Sequence, residues 1–295
     1  MIVLKNQAKR KVLIAQLNSK LSESNEKQLE LAISEHFKEL QEEVLKNLEE
    51  YWNDAMLLQG HIDLILAPIE DSHEAYYKIL EKHNKKEYRL GEKEAERIID
   101  IQNKHAEKSI RRLKGFFNKK RTNPMFATID WSEEDLLQKT IITSKSTLAR
   151  ITKDINQILT KGYTDGVGIN MVANAITTRF NQLETWEAKR IARTEIHNSH
   201  NRGVMKIYDE VGVEYTQWIA ANDDRTRESH AEIDGEIIEV GGTYSNGLQY
   251  PGDTSGDIEE WINCRCSNAP FVIPYGYMAP PDKEQFYEDD LIPIK

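Results

Sequence analysis

The sequence predicts an α+β fold, with mostly α-helical N-terminal and central regions followed by a small α+β C-terminal domain. Three observations carry that prediction. Apolar residues recur at helical spacing through the first two-thirds of the chain, the texture changes at Val213 to alternation and glycine turns, and nearly all the net acidity lies beyond that change. The formal charge is −10, yet residues 1–125 carry 23 Lys and Arg against 21 Asp and Glu, residues 126–205 carry 10 against 9, and residues 206–295 carry 6 against 19. An acidic surface repels phosphate, so any nucleic-acid contact is expected earlier in the chain. A chain of 295 residues can bury its core without disulfides. Two cysteines, no leader-like start and no apolar run near the roughly 20 residues needed to span a bilayer fit a soluble protein of a reducing compartment, with no membrane partner.

The first helix is expected from Asn25, capped there with Gln28, because Leu29, Ile33, Phe37, Leu40, Val44, Leu48 and Tyr51 form one stripe. Breaks are expected at "APIEDS" and "YRLGE", with a new helix from Asp71–Ser72 and another marked by Ala95, Ile98, Ile99, Ala106, Ile110 and Leu113. The stretch "RRLKGFFNKKR" concentrates Arg111, Arg112, Lys114, Lys119, Lys120 and Arg121 without an acid. It reads either as a solvated helix end or as a contact for a nucleic-acid backbone. "TNPMFATIDWS" is a linker, and Ser132 with Asp135 opens a helix whose stripe is Leu137, Ile141, Ser144, Leu148, Ile151, Ile155 and Ile158. Two further helices follow "GYTDGVG", the last stopped by Gly212. The divisions are thus 1–125 (helical arm), 126–212 (central helical block), 213–275 (small acidic α+β domain) and 276–295 (acidic tail).

In the α+β part, "VEYTQWIA" and "EIIEV" read as strands flanking a short helix in "DDRTRESHAEIDG". "GGTYSNGLQYPGDTSGD" is a loop, "IEEWI" a short helix and "NCRCSNAPFVIP" an extended segment. Cys264 and Cys266, in the last of these, are the only cysteines. Two residues apart on a strand their Cα atoms lie about 6.6 Å apart, near the limit a disulfide tolerates, which disfavours that bond. The same spacing places both sulfurs on one face, where His230 could join them around a zinc ion with Zn–S distances of about 2.3 Å. No four-ligand spacing is complete, so the simpler reading is two small buried side chains, with Arg265 turned the other way to a carboxylate. Asp223, Asp224, Arg225, Arg227, His230 and Asp234 form a polar cluster that suits a salt-bridged scaffold, or the acid–base groups of an active site. Arg193 and Glu195 are expected to bond across to the C-terminal domain.

Taken in order, "GYTDGVGINMVANAITTRF", "RIARTEIHNSHNRG", Trp218, "DDRTRESHAEIDGE", "YPGD" and "INCRC" resemble the minor head proteins of tailed bacteriophages, the head-morphogenesis or Mu F-like family. The resemblance covers about residues 155–270. Its marked positions fall here on Arg193, Thr194, Glu195, Asn201, Gly203, Trp218, Asp224, Arg225, Thr226, His230, Asp234, Gly235, Asn263, Cys264, Arg265 and Cys266, none of them catalytic in the family. Many relatives resemble zinc proteins, with Cys-x-x-Cys at the segment matching Arg227 to His230 and a His at the position of Trp261. Arg227 and Trp261 break that set here, so the resemblance does not imply an inherited zinc and no cofactor is expected from it.

What the resemblance implies is a non-enzymatic role in procapsid and head assembly near the portal vertex, with the protein residing in the virion and, before that, the host cytoplasm. The implied partners are the portal protein and the scaffold or major capsid protein, with a weak DNA contact through residues 111–121 and ejection with the DNA as further expectations. Two other readings compete: a nuclease- or transferase-like enzyme using Asp224, His230 and the Cys264/Cys266 pair, and a zinc-stabilised binding module built on His230, Cys264 and Cys266.

Overall fold

The computed structural model describes residues 21–53, 56–109 and 130–294, which form two compact units. The basic stretch from Arg111 to Arg121 lies outside the described residues. The units interleave along the chain and do not follow the four consecutive segments read from the sequence. One gathers residues 25–84 and 136–193; the other gathers, of the described residues, 21–24, 85–109, 130–135 and 194–294. The fold is α+β, as the patterning predicts.

Six long helices come first: α1 (Leu21–Tyr51), α2 (Gln59–Asp71), α3 (His73–Ser109), α4 (Glu133–Thr164), α5 (Ile169–Gln182) and α6 (Ala188–Glu210), with one π-type turn, Leu183–Glu187, leading into α6. In the helical unit the α1 stripe Leu29, Ile33, Phe37, Leu40, Val44 and Leu48 is buried, as its spacing demands. Asn25 is not the cap of this helix, which already runs from Leu21. It is fully buried, donates from Nδ2 to the His83 carbonyl at 3.1 Å and places Oδ1 2.8 Å from His83 Nδ1. The break expected in "APIEDS" falls at Ser72, between α2 and α3, while Pro68 lies inside α2. Lacking an N–H, it cannot bond the Leu64 carbonyl one turn back, and Asn47 of α1 donates to that carbonyl instead, at 2.8 Å.

Ser144, Leu148, Ile151 and Ile155 of the predicted α4 stripe are buried, while the two ends of the face are turned by about one residue. The buried positions include Leu136, Thr140, Ser144, Thr147, Leu148, Ile151, Ile155 and Leu159, whereas Leu137, Ile141 and Ile158 are half-buried. Polar groups hold the shifted face in register: Asn84 donates to Thr140 Oγ1 at 3.0 Å, and His73 Nε2 lies 3.1 Å from Ser144 Oγ. The start of α4 follows expectation, with the Asp135 N–H donating to Ser132 Oγ.

In the second unit, "YRLGE" is not a break, and α3 runs straight through it. Gly91 of α3 and Gly203 of α6 lie where these two helices cross. A Cβ on Gly203 would sit 2.0 Å from the Tyr88 carbonyl oxygen, and one on Gly91 would sit 2.1 Å from that of His200. Glycine costs a helix interior about 1 kcal/mol relative to alanine, and here it admits backbone-to-backbone contact that any side chain would prevent.

After α6 the chain forms a four-stranded antiparallel sheet in the order β3-β1-β2-β5, from β1 (Tyr215–Ile219), β2 (Ile237–Glu239), β3 (Ser267–Phe271) and β5 (Gln285–Phe286). Short helices α7 (Glu228–Glu232) and α8 (Ile258–Trp261) sit in the connections, and β4 (Tyr277–Met278) pairs with β6 (Ile292–Pro293). Residues 276–294 are therefore not a tail: β5 pairs with β2, and Phe286 packs with Tyr215, Ile237 and Phe271 in a buried cluster. No helix among the described residues is long and apolar enough to cross a membrane.

The α3–α6 crossing generates a stability prediction. Gly203→Ala should lower unfolding free energy by about 1–3 kcal/mol or more through overpacking, read from urea denaturation midpoints. Gly60→Ala, in α2 with nothing within 4 Å of the added Cβ, should be neutral or stabilising by the usual helix preference for alanine.

Candidate functional site

One face of α6 is polar and buried, and it organises the segments that follow. Thr194 Oγ1 accepts the Asn263 N–H at 3.0 Å, which ties the start of this face to the cysteine segment. Asn263 itself has φ 57°, a left-handed conformation that asparagine tolerates better than most residues and that turns the chain out of α8. One helical turn and more along α6, Asn201 donates from Nδ2 to the Pro251 carbonyl at 2.7 Å, inside "YPGD". Asn198 Oδ1 accepts the Tyr250 hydroxyl at 3.4 Å. Asp253 closes that loop on itself, accepting the N–H groups of Gln249 at 3.1 Å and Ser255 at 2.9 Å.

The Arg193 guanidinium pairs with Glu26 of α1 at 3.1 Å. Thr194, one residue on, points about 100° away around the helix, toward Asn263. Glu195 is buried beside it, and Gly203 forms the helix crossing.

Between the helices, His200 is gripped by two carboxylates of α3. Its Nδ1 lies 2.9 Å from Glu87 and its Nε2 lies 3.3 Å from Glu94, all three side chains being buried. Burial opposes charge on the ring, but the bonds to Glu87 and Glu94 outweigh it and push the His200 pKa up to about 9. His197, one turn earlier, is pushed down to about 3, chiefly by burial and then by His200. Arg202, fully buried, donates to the Asp130 carbonyl at 2.7 Å and to Asp135 at 2.5 Å.

The polar cluster of the α+β part separates into three roles. Asp223, Thr226 and Arg265 form a surface clamp, in which the Arg265 guanidinium donates to both Asp223 carboxylate oxygens, the Nη2 bond at 2.6 Å, and holds its pKa down to about 2. Thr226 Oγ1 accepts the Asp223 N–H and donates back to Oδ1. Asp224 and Arg225 face solvent and approach each other only to 3.9 Å. Asp234 accepts the Ala220 N–H at 3.0 Å and the Asn222 side-chain amide at 3.2 Å. The Gly235 N–H donates to the Trp218 carbonyl at 2.9 Å, and the Gly235 carbonyl accepts the Gln217 side-chain amide at 3.0 Å. Arg227 donates to the Ile262 carbonyl and makes no pair with Asp224.

The third role belongs to the interior. His230 Nδ1 lies 3.4 Å from Cys266 Sγ and 3.7 Å from Cys264 Sγ, and the three donor atoms are all within 4.8 Å of one another. The residues are 1–2% exposed, and both cysteines are free thiols. They occupy an extended stretch before β3, not the strand itself. The hydrogen bond from Cys264 holds the Cys266 thiol below its ordinary range, and the same bond with burial pushes Cys264 up. The Trp218 ring stands edge-on to His230 at 5.1 Å. Glu260 of α8 accepts from His230 Nε2 at 2.9 Å and from Ser229 Oγ at the same distance. Sequence reasoning did not single out Glu260, Glu87 or Glu94, since a glutamate on a charged helix carries the same signal whether it is solvated or buried. The structure thus brings His230, Cys264 and Cys266 together and leaves Asp224 at the surface.

Residues 153–269 match the family model described as Phage Mu protein F like protein. Minor head protein GP7 of Bacillus phage SPP1 is 29% identical over 120 residues, covering 39% of this chain and 39% of that protein. An uncharacterized protein of Haemophilus influenzae is 42% identical over 65 residues, covering 22% of this chain and 13% of its own length. The NAD(+)–arginine ADP-ribosyltransferase EFV of Enterococcus faecalis is 29% identical over 131 residues, covering 37% of this chain and 27% of the enzyme. The chain therefore spans about two fifths or less of the curated relatives it matches. No solved structure matches.

The His200 arrangement fixes the sign of a pH dependence. In the unfolded chain the ring loses its proton around its ordinary pKa of 6.5, in the folded chain around 9, so its protonation favours the fold fully below pH 6.5 and ceases to as pH rises through about 9. Urea midpoints of the native chain should fall over that window, and His200→Gln should flatten the fall.

Proposed function

We propose that the chain, whose residues 153–269 match the model of the Phage Mu protein F like family, is a minor head protein that acts in phage head assembly. The family match carries this reading. The likeness to Minor head protein GP7 supports it, as does the use the fold makes of the motif: Thr194, Asn201 and Asp234 each bind backbone groups of a neighbouring segment, which suits a structural module. The protein works near the portal vertex, joins the procapsid in the host cytoplasm, resides in the virion head and leaves it with the DNA. Its partners are the portal protein and the scaffold or major capsid protein, met by helix packing. The acidic C-terminal part is held away from nucleic acid, and the weak DNA contact uses the basic stretch 111–121.

The likeness to the ADP-ribosyltransferase EFV supports a second reading, in which this segment is a module that some proteins join to an enzyme. It does not favour catalysis by Asp224, His230 and the cysteines, since Asp224 faces solvent while the other three are buried.

Co-expression with portal, scaffold and major capsid proteins of the same phage tests the assembly reading. The chain should co-elute with the portal ring, and its gene should lie downstream of the portal gene. Failure to associate with any of the three, together with nucleic-acid cleavage that His230→Ala abolishes, would overturn it.

A further inference from the structure

We propose that His230 Nδ1, Cys264 Sγ and Cys266 Sγ bind one zinc ion as a three-donor site, leaving the fourth coordination position to water or another small donor. The argument is geometric. With Zn–S near 2.3 Å and Zn–N near 2.05 Å, a tetrahedral ion separates a sulfur and a nitrogen ligand by about 3.6 Å. The two separations here are 3.4 and 3.7 Å. A hydrogen-bonded thiol could account for one of them, but a single imidazole lone pair accepts one S–H well, and here both sulfurs converge on it. Among the described residues this is the one group of three or more His, Cys, Asp or Glu side chains that converges in this way.

The surroundings prepare the histidine for a metal. An ionised Glu260 only accepts hydrogen bonds, so its 2.9 Å contact assigns the proton of the neutral ring to Nε2 and leaves Nδ1 bare toward the sulfurs. Ser229 orients the carboxylate from its far side. A carboxylate bonded to the outer nitrogen of a ligating histidine is the usual second layer of a zinc site, where it fixes ring orientation and raises ligand basicity. Charge also balances: two thiolates neutralise a divalent cation, so the three ligands and the ion together carry no net charge into a buried site.

Among the described residues no fourth His, Cys, Asp or Glu joins the group. Arg227 and Trp261 carry no acceptor and bond elsewhere, to the Ile262 and Gly256 carbonyls. Arg265 faces the opposite way, engaged with Asp223. The chain therefore lacks a complete four-ligand set and still assembles three donors around one point.

The test uses the full chain, purified in reductant without chelator, then stripped and titrated with Zn2+ against a chromophoric chelator and, separately, with Co2+. One equivalent of each should bind, and Co2+ should produce thiolate-to-cobalt charge-transfer absorption. Cys266→Ser should abolish that absorption. Glu260→Gln, which keeps all three donors, should weaken zinc binding about 10–100-fold with the helical circular dichroism unchanged, a readout that stands if Cys266→Ser fails to fold. A wild-type chain that takes up no equivalent of zinc, or a folded Cys264→Ser, Cys266→Ser double variant that binds one equivalent of zinc as tightly as the native chain, would overturn the proposal.

Discussion

The contact of α3 with α6 at Gly91 and Gly203 is the constraint on which the α+β unit depends. Because both residues lack a side chain, the Tyr88 and His200 carbonyls lie where a Cβ would otherwise stand. The side chains flanking the crossing must then meet at short range. His200 enters between Glu87 and Glu94, and Lys206 reaches Glu92 at 2.6 Å. A wider crossing would leave buried carboxylates and a buried imidazole without these partners, each at a cost of kilocalories.

With one face of α6 committed to α3, another is free to receive the chain that returns after the sheet. Thr194, Asn198 and Asn201 meet backbone or hydroxyl groups of the loops around Asn263, Tyr250 and Pro251. Those bonds set where the "YPGD" loop and the "NCRC" segment run. The latter in turn presents both sulfurs to His230 of α7. Motif residues dispersed over some seventy positions in sequence thus act on one small volume.

Much of the fold was legible because its signals were apolar and periodic. The α1 stripe was read residue by residue, and both principal strands, the capped start of α4 and the short helices of the α+β part were placed from alternation and turn residues. Legibility failed where polar groups are buried. The apolar stripe puts Leu137 and Ile141 on the α4 face where Leu136 and Thr140 stand, and Asn25 carries the signal of a cap although it clamps His83. Gly91 was read as a turn because a glycine needed for close approach has the same letter as one needed for a bend. The three convergent residues of the α+β interior were named in advance, but Glu260, which orients the histidine, was not. A long-range hydrogen bond to a carboxylate leaves no mark in local spacing.

The sheet has a further consequence. Its two outer strands are poor templates for another chain: β3 carries Pro270, which has no N–H to offer, and β5 is two residues long. Strand addition, a common way for proteins to recruit an extended segment, is blunted at both borders. Edge-to-edge polymerisation through this sheet is thereby disfavoured.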